Sequence, residues 1–206
     1  MSEKRRGSYA KGIAKREEIL ERALEVVGRE GYAGASVRAI ADAVGLSQAG
    51  LLHYFDSKEE LFTEILRKRD EVDAALFGSA DAANATADEL RDGYVAVVRH
   101  NTEVPGLVHL FSRLAVDAAD PAHPAHDYFL SRGAGLRAIY LDALQRAQRD
   151  GSLTREVDAE ILVRIVQAVA DGMQLQWMLD PEVDMAATIA AVFTLLGTQR
   201  SGATDA

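Results

Sequence analysis

The sequence predicts an all-α fold, a small N-terminal head of three helices with a helix-turn-helix, joined to a larger C-terminal helical body. Three observations carry this expectation. Apolar residues recur at helical spacing in successive stretches from Ala10 onward. No long period-two alternation calls for a sheet. All four prolines fall at or near the edges of the predicted helices, where a missing N–H costs least.

The first helix is expected from about Ala10 to Glu30, with Ile19, Ala23, Leu24 and Val27 along its inner side and Gly31-Tyr32 closing it. Val37, Ile40, Ala41 and Val44 then repeat at i, i+3, i+4 and i+7, one face of a short helix over 37–44. Gly45 interrupts this pattern and can adopt the left-handed geometry of a turn. Ser47 can cap a second short helix over 48–54, whose inward positions are Leu51 and Phe55. Ser57 opens a long helix, with Glu60 completing a capping box and Leu61, Phe62, Ile65 and Leu66 forming an apolar stripe that persists weakly to Phe77. Later helices are expected over 86–100, 105–118, 124–149, 155–179 and 183–197. The tail Ser201–Ala206 is small and polar and is expected to be disordered. No Pro- or Ser-rich linker separates the parts, so the helix after Ser57 is expected to couple a head at 10–56 to a body at 57–200.

Two short helices about a glycine-containing turn can place the second in a DNA major groove. A net charge of -9 argues against a nucleic-acid partner until its distribution is considered. Residues 1–72 hold 13 basic and 13 acidic side chains, whereas the remaining 134 residues hold 10 and 19. The first 16 residues carry Lys4, Arg5, Arg6, Lys11, Lys15 and Arg16 against Glu3 alone. A mobile basic arm of this kind either touches phosphate or is a solvated tail.

Several function classes are excluded. Without cysteine there is no disulfide framework, thiolate zinc site or thiol nucleophile. There is no Gly-rich phosphate loop, zincin pattern or Ser-His-Asp grouping, so no enzyme and no cofactor are expected. Asp120, His123, His126 and Asp127 suggest metal ligands, but Pro121 and Pro124 place them in a polar loop, and no metal site is assigned. No signal-peptide segment follows the basic N-terminus and no apolar run is long enough to span a bilayer, which predicts a cytoplasmic protein.

The motifs Ile19-Leu20, Gly31-Tyr32, Val37-Arg38, Ile40-Ala41, Gly45-Leu46-Ser47, Leu51 through Phe55 and Ser57-Lys58-Glu59-Glu60-Leu61 together resemble the tetracycline-repressor (TetR) family of bacterial transcriptional regulators. The match covers roughly residues 14–66. Asp171-Gly172 and the run Gln176 to Pro181 also look like the penultimate helix of many members. The resemblance implies an all-helical homodimer whose head reads a double-stranded operator and whose C-terminal domain binds a small molecule and dimerises.

The predicted DNA-binding set is Arg38, Ser47, Gln48, Ala49, Gly50, Leu52, His53, Tyr54 and Lys58. Gln48, one residue past the cap, can pair bidentately with adenine. Family members often carry Thr where Gly50 stands and Tyr where Leu52 stands; Gly50 offers no side-chain contact, and Leu52 can meet a thymine methyl. His53 and Tyr54 can donate to phosphate, and Tyr54 matches the aromatic or His that the family usually places before the Phe. Lys58 resembles a family phosphate contact, and Arg38 can hold phosphate from the preceding helix.

In the body, Phe111, Tyr128, Tyr140, Met173 and Trp177 either line an apolar effector cavity or form plain core, and His109 either bonds an effector or lies at the surface. The last two helices carry apolar residues on more than one face. This suggests a dimer interface through Ile165, Val169, Met173, Ile189, Val192, Phe193 and Leu196. The leading expectation is a regulator, in the repressor sense, that binds a palindromic operator as a homodimer and is released by a small, mostly apolar effector. The alternative is a DNA-binding regulator whose body binds a protein partner instead.

Overall fold

The computed structural model describes residues 3–78 and 84–197, with backbone alone at 3–9 and 32–34. Among the described residues there are nine α-helices and no strand beyond an isolated Leu153–Gly197 bridge. They are α1 (Glu3–Gly34), α2 (Val37–Ala43), α3 (Gln48–Leu52), α4 (Lys58–Phe77), α5 (Ala87–Glu103), α6 (Pro105–Asp117), α7 (His126–Asp150), α8 (Ala159–Leu179) and α9 (Met185–Leu196). The predicted all-α class and element order are thus found. The side chains of Lys4, Arg5 and Arg6 and the tail Ser201–Ala206 lie outside the described residues. From Glu3 the backbone is helical, so the expected mobile arm is instead an extension of α1.

The chain packs into two compact units, Met1–Leu76 with His100–Ser131, and Phe77–Arg99 with Arg132–Ala206. The first unit contains the helix-turn-helix, and its core joins Ile19, Ala23 and Val27 of α1 to Ile40, Leu51, Phe55, Leu61, Ile65, Leu66, Leu110 and Phe111. Gly31 breaks the regular helix at φ 71° and ψ 167°. Ser36 caps α2 by accepting the Ala39 N–H at 3.1 Å. Gly45 at φ 69° makes the turn, a backbone value that an L side chain rarely takes. Ser47 caps α3 through the Gly50 N–H at 3.0 Å. α3 is shorter than its predicted 48–54 because the Tyr54 N–H bonds back to the Leu51 carbonyl at 3.0 Å, tightening the last turn. At α4, the Glu60 N–H donates to Ser57 Oγ at 3.0 Å. The Glu60 carboxylate in return takes the Asp56 N–H, one residue earlier than a regular capping box.

In the second unit Leu90, Val95, Leu144, Leu162, Val166, Met185 and Ile189 are buried. Thr86 and Glu89 form a reciprocal capping box at the start of α5. α8 begins at Asp158–Ala159 and not at 155, because Gln148 Nε2 donates to the Thr154 and Val157 carbonyls at 2.8 Å each and holds that stretch as a loop. No described helix is long and apolar enough to cross a membrane.

Gly106 fixes how α6 meets α1. A Cβ there would lie 1.9 Å from the Val27 carbonyl oxygen and 2.8 Å from the Gly31 Cα, both backbone atoms. Helix propensity favours Ala over Gly by up to about 1 kcal/mol, yet the clash must push the two helices apart. Gly106→Ala is therefore expected to destabilise by about 1–3 kcal/mol, the range for overpacking. Gly135 on α7 has nothing within 4 Å of an added Cβ, so Gly135→Ala should stabilise by about 0.5–1 kcal/mol. Denaturant midpoints measured side by side check the opposite signs, and equal shifts would refute the close approach at Gly106.

Candidate nucleic-acid interface

α3 shows two sides. Leu51 and Phe55 are 0% and 2% exposed and point into the core of the first unit. Gln48, Ala49, Leu52 and His53 are exposed, and Gly50 and Tyr54 are half-buried. Ser47 is exposed but its oxygen is engaged as the cap, so its part here is to start the helix and present Gln48. The His53 and Tyr54 rings meet edge to face at 6.0 Å. The predicted DNA-binding positions of α3 thus form the outer side of this short helix.

The two predicted cations outside α3 are available to solvent. Arg38 on α2 has 77% of its side chain exposed and only a 3.8 Å approach to the equally open Asp42, an arrangement worth little in water. Lys58 is the first residue of α4, with Nζ 5.5 Å from the Phe62 ring centroid and its charge facing water. A ring beside the ammonium leaves its charge in place.

Arg16 behaves differently from the basic arm with which the sequence groups it. Its guanidinium lies 4.7 Å from the Phe55 ring centroid and bonds Glu60 and Glu64 at 3.1 Å each. Its Nε donates to the Tyr54 carbonyl at 3.4 Å. The signal for this was present: Arg16 precedes Ile19 by three and Leu20 by four residues, on the buried stripe of α1.

The predicted effector residues are divided between the two units. Phe111 and Tyr128 are buried in the first unit, where Arg69 lies 4.9 Å over the Phe111 ring and the Tyr128 hydroxyl donates to Asp70 at 2.6 Å. Tyr140, Met173 and Trp177 are buried in the second unit, and His109 is exposed. Tyr140 donates to the Leu90 carbonyl at 3.2 Å and its ring lies 5.6 Å from that of Tyr94. Burial, reinforced by the Asp171 carboxylate and opposed by Arg132, pushes the Tyr94 phenol up to about 12. Burial likewise raises the Asp171 carboxyl, again opposed by Arg132. A separate cleft of about 540 Å³ in the second unit is lined by Asn84, Thr86, Arg91, Arg146, Ser152 and Phe193 among others, and by none of the predicted effector residues.

In the loop between α6 and α7, His123 Nδ1 accepts the Ala125 N–H at 3.1 Å and His126 Nδ1 meets the Ala118 carbonyl at 2.8 Å. These histidines shape the loop. No group of three or more potential metal ligands occurs among the described residues.

Of the predicted interface residues, Met173, Ile189 and Phe193 are buried within their own chain. Val169, Val192 and Leu196 are half-buried, and Ile165 is 39% exposed. The exposed apolar face of α8 is carried by Ile161, Ile165, Leu175 and Leu179, with Leu195 open on α9. The predicted set left out all of these but Ile165, because an apolar residue counts the same in a composition whether it faces inward or outward.

Residues 19–65 match the family described as "Bacterial regulatory proteins, tetR family". The chain is 30% identical over 165 residues to the HTH-type transcriptional repressor AcnR of Corynebacterium glutamicum, covering 76% of this chain and 78% of that protein. It is 28% identical over 158 residues to the HTH-type transcriptional repressor KstR2 of Mycolicibacterium smegmatis, covering 75% of each. Its fold is that of a TetR transcription regulator from Haloarcula marismortui, with a TM-score of 0.71 over 90% of this chain and 99% of that one at 20% identity. The helix-turn-helix geometry and these likenesses agree: the chain belongs to the tetR family of bacterial regulatory proteins, which are helix-turn-helix transcriptional regulators.

Proposed function

We propose that this protein is a repressor that binds a palindromic operator as a homodimer and is released by a small, mostly apolar effector. The head at 10–56 reads DNA, and the body at 57–200 dimerises and holds the effector. The observation that carries this reading is the outer side of α3, where Gln48, Ala49, Leu52 and His53 stand exposed while Leu51 and Phe55 anchor the helix from behind. Gln48, in the first turn, reads a base edge. Leu52 meets a thymine methyl, and Arg38, His53, Tyr54 and Lys58 hold phosphate. Repression as the direction of control is supported by the repressors to which the chain is related.

The exposed apolar residues of α8 support the dimer. Ile161, Ile165, Ala168, Gly172, Leu175 and Leu179 follow one another at alternating steps of four and three, the spacing of a seam between packed helices. A second copy of α8 laid along this seam would bury side chains that water otherwise covers, and small Ala168 and Gly172 allow the helices to approach. Two-fold pairing then sets the spacing of the two recognition helices and so the spacing of the half-sites. An effector that binds the body better in a differently spaced dimer weakens operator binding, and the operator weakens effector binding by the same factor.

Sequencing genomic fragments captured by the full chain at physiological salt tests the core of this reading, with enrichment of one palindromic motif expected. Failure to enrich any motif with folded, dimeric protein would overturn it. On a duplex carrying that motif, Gln48→Ala should cost about 1–3 kcal/mol and relax preference at one base step of each half-site. Lys58→Ala should weaken all sequences alike and reduce the salt slope by about 1. Leu175→Arg should convert the dimer to monomer in sedimentation while the helical signal is retained. If Leu175→Arg leaves the dimer intact, the α8 seam is not the interface.

A further inference from the structure

We propose that Arg16, a basic residue of α1, is a positioning residue for operator reading and not a phosphate ligand. The inference rests on the assignment of α3 as the recognition helix. Three observations of the first unit carry it. The guanidinium of Arg16 is engaged by Glu60 and Glu64 of α4, by the Tyr54 carbonyl and by the face of Phe55. Its partners belong to the turn that ends α3 and begins α4. Glu60 also takes the Asp56 N–H, so the carboxylate that Arg16 holds is the one that closes this turn.

The chemistry suits arginine in particular. One planar fork spans two carboxylates and a carbonyl while its face stacks on an aromatic ring; a lysine ammonium has the charge but not the fork or the stack. The Tyr54 carbonyl lies just past the His53 cap of α3. By holding that carbonyl, Phe55 and Glu60 together, Arg16 ties α1 to the exit of α3 and the entry of α4. What depends on that turn is the seating of α3, and with it the direction of Gln48 and Leu52, the side chains assigned to base edges. Arg16 is only about one-third exposed, and Glu64 also engages Arg67, which adds a second cation to the same acidic pair. A phosphate would have to displace two carboxylates to reach it.

The test uses the full-length dimer and the variants Arg16→Met, which keeps an apolar stem over Phe55, and Arg16→Lys, which keeps the charge. Amide exchange in the free protein and binding to two duplexes, one carrying the captured motif and one scrambled, are measured across a salt series. The expected result for Arg16→Met is faster exchange at the Asp56 amide and about tenfold weaker binding to the motif duplex, the scale of a lost charge-assisted bond. Binding to the scrambled duplex and the salt slope should stay at wild-type values, and Arg16→Lys should fall between. Equal weakening on both duplexes, with a slope reduced by about 1, would make Arg16 a phosphate ligand and overturn the proposal. Unchanged Asp56 exchange would overturn it also. If the wild-type protein itself fails to distinguish the duplexes, the assignment of α3 is what fails, and Asp56 exchange alone then decides whether Arg16 holds the turn.

Discussion

A helix of five residues cannot sustain itself in water, and everything assigned to the head depends on how α3 is held. Nucleating a helical turn is unfavourable by a factor on the order of a thousand, and isolated helices shorter than about 12 residues are marginal. α3 survives because the chain fixes it at both ends and from behind. Ser47 supplies a cap worth about 1 kcal/mol. Leu51 and Phe55 are buried almost completely, each worth about 1.5–3 kcal/mol relative to exposure. Those anchors occupy one side of so short a helix, and this leaves Gln48, Ala49, Leu52 and His53 facing out. The proposed recognition surface is thus what remains once the anchoring side has been chosen by the core.

The charge distribution follows the same division. The acidic excess lies after residue 72, while residues 1–72 are neutral by count. Their neutrality is not uniform in space. Arg16 and Lys68 are tied to carboxylates of α1 and α4, whereas Arg38 and Lys58 face water with weak or no anionic partners. Exposed cations add affinity and salt dependence on a polyanion. Paired ones are spent on the architecture of the head.

The helix-turn-helix was legible because its signals are local. A cap residue, a glycine in the turn and a four-position apolar repeat each act within a few residues, and the caps at Ser47 and Ser57 are found where such signals place helix starts. The body was legible as helices but not as a site. Phe111 and Trp177 have the same apolar chemistry whether they line a cavity or fill a core, and only tertiary packing separates Phe111 and Tyr128 in one unit from Tyr140, Met173 and Trp177 in the other. Arg16 was missed for a related reason. Composition counts it with its basic neighbours, although its place on the apolar stripe of α1 turns it inward.

In the proposed dimer the same ambiguity is resolved by spacing. α8 is apolar around most of its circumference, so hydrophobicity alone does not say which side meets a partner. Burial removes Leu162, Val163, Val166, Met173 and Trp177 from consideration, because their own chain already covers them. Of those left, Ile161, Ile165, Ala168, Gly172, Leu175 and Leu179 keep an alternation of four and three, with half-buried Val169 and Met178 beside them. An α-helix of 3.6 residues per turn drifts slowly away from such a seam, so over the length of α8 the stripe stays almost parallel to the axis. A partner helix can follow it from end to end. Met173 and Ile165 therefore differ although they are close in sequence: Met173 is buried within its own chain, and Ile165 lies on the exposed seam that the proposed dimer would use to space two copies of α3.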